Sequence, residues 1–167
     1  MNVQKVSFLE VSYTNNDDIR ILNAILSSWF SDPKIFHFTA PNHHYPFKIS
    51  KWISLSYTDQ DIRTFCLKLD NWIIGHISMK LNAVEKSAHL FHLIIDEKYR
   101  NKGYAKKLVN YVEQKLTDKE KFNRLSLNCV KKNQSALALY QSLGFSIVKK
   151  KKHISRLKSI VLMNRYF

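Results

Sequence analysis

A chain of 167 residues with 45% hydrophobic and 24% charged side chains is sized for one domain with its own core, residues 1–167, and is too small for two comfortable ones. Three glycines and three prolines argue against long linkers, no apolar run reaches the roughly 18 residues that span a bilayer, and no basic-then-apolar leader opens the sequence, so a cytoplasmic protein is expected. The net charge of +14 is lopsided: residues 1–95 carry 9 Lys+Arg against 8 Asp+Glu and residues 96–167 carry 18 against 5, which favours an anionic ligand in the second half.

In chain order, Lys5–Tyr13 reads as a first strand. Asn15 or Asn16 can cap a helix in which Ile19, Leu22, Ile25, Leu26 and Trp29 recur at helical spacing. The stretch between Phe30 and Phe47 reads as irregular, rich in aromatics, histidines and prolines. Helical spacing returns over Lys48–Tyr57. Three strands follow, Arg63–Leu69, Trp72–Leu81 and Ala88–Ile95, joined by turns at Asp70-Asn71 and Asn82–Lys86. Gly103–Leu116 is a helix, Leu125–Val130 a strand, and Asn133–Leu143 a helix capped by Asn133 and ended by Gly144. Phe145–Lys150 and Leu157–Tyr166 close the chain as a hairpin, with Lys149–Lys152 at its turn. Helix separates strands in a βαβ manner only around the fourth and fifth strands, so those two should run parallel and the rest antiparallel. The expected fold is α+β: a mixed, mostly antiparallel seven-stranded sheet flanked by about four helices.

Cys66 and Cys129 lie in strand-like apolar segments with no partner nearby in sequence, which reads as reduced buried thiols. His43-His44 is a poor metal site, because adjacent side chains diverge and no spaced third ligand is evident. No metal is expected.

The most informative stretch is Arg100-Asn101-Lys102-Gly103-Tyr104-Ala105. It lies between the apolar run Leu90–Ile95 and the amphipathic pattern Ala105, Leu108, Val109, Val112, Leu116. A basic, glycine-containing turn that opens a helix offers unpaired N–H groups, the positive dipole end and cations to one point, which suits phosphate. Gly103 lets an anion approach the backbone with no Cβ in the way, and Arg100, Lys102 and Lys106 bring charge to it.

The order of elements, Arg100-x-x-Gly103-x-Ala105 after the fourth strand, and the block Asn133, Ala136, Tyr140, Gly144, Phe145 together resemble the GNAT superfamily of N-acetyltransferases over nearly the whole chain. The resemblance implies acetyl-CoA as cosubstrate and splayed fourth and fifth strands that receive its thioester. It implies that Leu93, Ile94 and Ile95 meet the pantetheine arm, and that Arg100, Asn101, Lys102, Gly103, Tyr104, Ala105 and Lys106 meet the pyrophosphate. Asn133 and Ala136 would also face the cofactor. Tyr140, two helical turns from Asn133 and on the same face, would be the general acid to the leaving thiolate.

For the general base, two positions that hold glutamate in different branches of the family correspond here to Asn128, which cannot accept a proton, and His89, which can. His92, three residues on, belongs to the opposite face of an unbulged strand. Water is the other acceptor to consider. Phe36, His37, Phe38, His43, His44, Tyr45 and Phe47 fall where the family walls its acceptor, an amine on a small molecule or a protein N-terminus. Two rival classes remain: an acetyl-CoA-binding module without catalysis, suggested by Asn128, and a basic RNA or ribosome binder, whose lysines lack interleaved stacking aromatics. Neither a membrane nor a nucleic acid is required. The terminal hairpin offers an edge for a homodimer.

Overall fold

The computed structural model describes residues 2–117, 121–149 and 159–167. Its elements are β1 (Val6–Val11), α1 (Asn16–Trp29), α2 (Pro33–Thr39), α3 (Ile49–Ser56), β2 (Ile62–Leu69), β3 (Trp72–Asn82), β4 (Ser87–Ile95), α4 (Tyr104–Thr117), β5 (Arg124–Val130), α5 (Gln134–Ser142), β6 (Ser146–Ile147) and β7 (Ile160–Tyr166), with a 3-10 turn at Glu97–Tyr99. The strands make one seven-stranded sheet in the order β1-β2-β3-β4-β5-β7-β6. Among the described residues only the β4–β5 pair is parallel. The expected mixed sheet is therefore present, with its parallel pair where the intervening helix demands it.

Local chemistry explains most helix boundaries. Asn15 Oδ1 accepts the Asp18 N–H at 3.0 Å, and Asp17 and Asp18 sit in the positive first turn of α1. A fifth helix, α2, replaces part of the stretch expected to be irregular. Asp32 caps it by accepting the Lys34 N–H at 2.8 Å, and Pro33 stands at a position that needs no donor. Seven residues are too few for a periodic signal to emerge. At the other end β6 is only two residues long; Lys150–Lys158, including parts of both expected hairpin strands, lie outside the described residues.

The sheet carries a core on each face. Leu108, Val109, Val112 and Leu116 of α4 are fully buried with Phe65, Leu67, Ile77, Met79, Leu90, Leu125 and Leu127. Burying each such side chain contributes about 1.5–3 kcal/mol, enough to clamp α4 against β2–β5. On the opposite face α1–α3 bring Leu22, Leu26, Phe30, Phe36 and Trp52 onto Cys66 and Ile94.

Two irregularities in β4 prepare a site. The parallel ladder pairs Ser87↔Arg124 through Leu90↔Leu127 and then stops, while β4 continues along β3 and β5 along β7. The strands part beyond Leu90 and Leu127. Just there, His76↔Ile94 and Ser78↔Phe91 leave Ile77 alone opposite both His92 and Leu93, a β-bulge with His92 at φ +53°.

Candidate active site

The end of β4 is tied off before the basic turn begins. The Asp96 N–H bonds Ile74 O at 2.8 Å, and Arg100 Nε donates to Ile95 O at 2.9 Å. Asn101 (φ +60°) and Gly103 (φ +82°) are both left-handed, which curls the chain before the helix. The Gly103 carbonyl accepts the Lys107 N–H at 3.1 Å, so α4 starts here. The N–H groups of Tyr104, Ala105 and Lys106 therefore have no intrahelical partner. A Cβ at Gly103 would meet nothing within 4 Å. This concavity of bare amides, with cations beside it, fits a pyrophosphate.

The turn opens into a cavity of about 720 Å³ running into the gap between β4 and β5. Leu93, Ile94, Ile95, Arg100, Asn101, Gly103, Tyr104, Ala105 and Lys106 line one wall, and Asn133, Ala136 and Tyr140 line the other. Lys102 does not line it; its ammonium sits over the Tyr99 ring, 5.7 Å from the centroid. Asn133 Oδ1 accepts the Ala136 N–H at 3.2 Å, which spends that oxygen on capping α5. Gly144 (φ +88°) ends the same helix, with the Phe145 N–H returning to Tyr140 O at 3.0 Å. Burial, with the Cys129 thiol nearby, pushes the Tyr140 phenol well above the ordinary tyrosine range. It stays protonated at neutral pH.

His89 stands apart from this cavity. Its Nδ1 lies 2.9 Å from Ser126 Oγ, and it lines a smaller cavity of about 480 Å³ with Lys80, Glu85 and Arg124. Burial first and then Lys80 lower its pKa. His92 lines the main cavity instead. Strict alternation would set it opposite His89, but the bulge turns its ring into the face covered by α1–α3.

There His92 joins a buried polar network. Its ring stacks on Trp52, centroids 4.0 Å apart, and its Nδ1 lies 2.8 Å from Tyr57 Oη. Tyr57 Oη also meets Ser78 Oγ at 2.8 Å, and Ser78 Oγ meets Thr64 Oγ1 at 2.9 Å. His76 Nδ1 donates to the His92 carbonyl at 2.8 Å, so its Nε2 is the acceptor for Tyr13 O–H at 2.9 Å. Burial lowers the pKa of both imidazoles, to about 4 for His76, and the neighbouring His76 and His43 lower that of His92 further. Tyr13, Tyr57 and Cys66 are pushed up by burial on the same face. In the sequence this network leaves little mark. Its trace was the spacing of His76 and Ser78, two polar residues one pleat apart on an apolar strand.

The aromatic stretch divides its labour. Phe36 is buried and Phe47 packs beside it, His43 Nε2 lies 2.8 Å from Ser56 Oγ, and Tyr45 is half exposed with its hydroxyl donating to Ser31 O. His37 and His44 are exposed. Of these residues only Phe38 lines the cavity, where α2 also supplies Ile35 and Thr39 and its cap supplies Asp32. Asn128 lines it from β5. Among the described residues no group of three or more His, Cys, Asp or Glu could hold a metal ion, and no helix is long and apolar enough to cross a membrane.

Known proteins share this fold. Over 61 residues, 36% of this chain, it is 43% identical to human N-acetyltransferase 8, and the match spans 26% of that protein's length. An acetyltransferase from Thermus thermophilus superimposes with a TM-score of 0.76 at 20% identity over 100% of both chains. Spermidine N-acetyltransferase from Vibrio cholerae, solved with CoA and spermine, does so with 0.73 at 16% identity over 96% of this chain and 95% of that one. The model of the acetyltransferase (GNAT) family matches residues 23–145. With the family's sheet, its strand-to-helix turn and most of its length matched, the chain belongs to the GNAT family of acetyltransferases.

Proposed function

We propose that the protein moves an acetyl group from acetyl-CoA to a primary amine by direct attack on the thioester, as one domain over residues 1–167. The observation that carries this reading is the parting of β4 and β5 directly above the Asn101–Lys106 turn, with Tyr140 on the facing wall. Backbone amides at Tyr104–Lys106, with Arg100 and Lys106, would hold the pyrophosphate, and β4 from Leu93 to Ile95 would lie along the pantetheine.

In the transfer, the amine lone pair forms the C–N bond, the C–S bond breaks, and its electron pair goes to sulfur. Tyr140 supplies the proton that sulfur takes and recovers one from the amine; the other ammonium proton leaves to water. Water is the acceptor because Asn128 cannot take a proton and His89 faces a different cavity.

The acceptor enters beside Ile35, Phe38 and Phe91, an apolar wall suited to a small apolar amine or a peptide N-terminus. A net charge of +14 disfavours a polycation. Buried, unpaired Cys66 and Cys129 suit a reducing, cytoplasmic setting. A second copy would pair at the β6 edge of the sheet.

The decisive experiment combines calorimetry with coenzyme A and thiol release from acetyl-CoA across a panel of amines and N-terminal peptides. Binding with acceptor-dependent release is expected. Binding without release from any acceptor would leave a coenzyme-binding module, and no binding would overturn the assignment.

A further inference from the structure

The His92 ring has one nitrogen that no described residue engages. Its Nδ1 meets Tyr57, its carbonyl meets His76, and its Nε2 makes no hydrogen bond among the described residues. That nitrogen is also absent from the buried, unpartnered polar atoms, so it retains access to the cavity the residue lines.

Which tautomer His92 adopts follows from counting hydrogens along the hydroxyl chain. Thr64, Ser78 and Tyr57 each have one O–H to donate, and all three residues are buried. If Thr64 donates to Ser78, Ser78 to Tyr57 and Tyr57 to His92 Nδ1, every hydrogen finds an acceptor. Reversing the chain makes Nδ1 the donor and strands the Thr64 hydroxyl hydrogen in the core, a loss of about 1–3 kcal/mol. The first direction therefore prevails. A neutral imidazole that accepts at Nδ1 carries its hydrogen on Nε2.

We infer that His92 presents Nε2–H to the cavity as a hydrogen-bond donor, and that its partner is the carbonyl oxygen of the bound thioester. This rests on the acetyl-transfer reading above. His92 sits in the bulge beside the point where β4 and β5 part, the place that reading gives to the acetyl group. As the amine adds, the carbonyl π pair moves to oxygen, and a fixed donor there steadies the charge without giving up its proton. On collapse the pair returns and the C–S bond breaks. A buried, neutral imidazole acting as a donor is chemically suited to this role, whereas an imidazolium would have to be created in an apolar stack against Trp52. His92 is on this account a catalytic residue, but not the base.

The test has two arms that need no knowledge of the natural acceptor. Nitrogen NMR of imidazole-labelled wild type reads the tautomer directly, and the hydrogen on Nε2 at pH 7 is expected. A signal from Nδ1–H would overturn the donor role. Infrared spectroscopy of carbonyl-labelled acetyl-CoA bound to the protein reads the partner. The bound carbonyl band should lie below its position in water for wild type, return upward in His92→Leu, and remain largely lowered in His92→Gln, whose amide can still donate. A band unmoved by His92→Leu would overturn the thioester as partner. With any amine that the thiol-release panel finds active, kcat should fall about 10²-fold in His92→Leu, with recovery in His92→Gln. Equal loss in both variants together with loss of an acid pH limb would make His92 the base instead. Failure of wild type to bind coenzyme A would overturn the acetyl-transfer reading and the choice of partner, while the tautomer measurement would still decide the donor on its own.

Discussion

Arg100 folds its side chain back onto the strand it follows, donating from Nε to the carbonyl of Ile95 at 2.9 Å. One guanidinium nitrogen is thus spent on geometry, and the remaining two carry the charge toward the cavity that the residue lines. Arg100→Lys keeps the charge but cannot make that planar, two-sided arrangement. Coenzyme A affinity should fall about tenfold, as for one charge-assisted hydrogen bond, and further in Arg100→Ala. Calorimetry checks it; unchanged affinity in Arg100→Lys would mean that only charge matters here.

Gly103 separates folding from binding. Its φ of +82° strains any side chain by about 1–2 kcal/mol, yet a Cβ there would touch nothing in the free protein. Gly103→Ala should therefore lower stability modestly and coenzyme affinity much more, and Gly103→Glu should abolish binding through bulk and charge. Thermal melts beside calorimetry would show this. If Gly103→Ala loses stability and affinity in proportion, the cradle is only a turn.

Tyr140 is held protonated by burial, with the Cys129 thiol adding to the effect. A phenol with a raised pKa loses its proton only above the ordinary value of about 10, so Tyr140 itself should impose no alkaline fall in rate below that pH. Tyr140→Phe should lower kcat about 10²-fold while leaving coenzyme affinity within a few-fold. Turnover equal to wild type would remove the phenol from the chemistry.

His76 makes stability depend on acid. Its folded pKa, lowered to about 4 by burial, lies below the unfolded value of about 6.5. The unfolded chain therefore takes up the proton first. Stability is complete above pH 6.5 and is lost as the pH falls toward 4, by on the order of 3 kcal/mol for one such group. His92, shifted in the same direction, adds to the loss. Urea midpoints at pH 7 and pH 5 would reveal it, and a midpoint independent of pH over that interval would contradict the burial of both rings as neutral species.

What could be read from the residues divides along the range of the forces involved. The Asn15 and Asn133 caps, the Gly144 stop and the Arg100–Ala105 turn depend on neighbours a few positions away, and each stands where local chemistry puts it. The Asp32-Pro33 start of α2 carried the same sort of signal but opened a helix too short to show a period. His89 and His92 were harder. Their faces depend on whether β4 alternates without interruption, and that is decided by contacts distant in sequence: Trp52 under the His92 ring, Tyr57 on its nitrogen and His76 on its carbonyl. The family correspondence pointed to His89 and regular alternation set His92 on the other face, but one extra residue in the ladder puts His92 in the cavity.

The bulge also makes His92 a surplus residue in the pairing of β4 with β3. Deleting His92 would close the bulge, restore regular alternation and leave Ile94 and Ile95 on the faces they occupy now. Ile94 would stay under the helical cover of α1–α3 and Ile95 in the layer beneath α4, while Trp52 and Tyr57 would lose the imidazole they now hold. A single-codon deletion here should therefore cost the buried polar network and spare the register of the sheet.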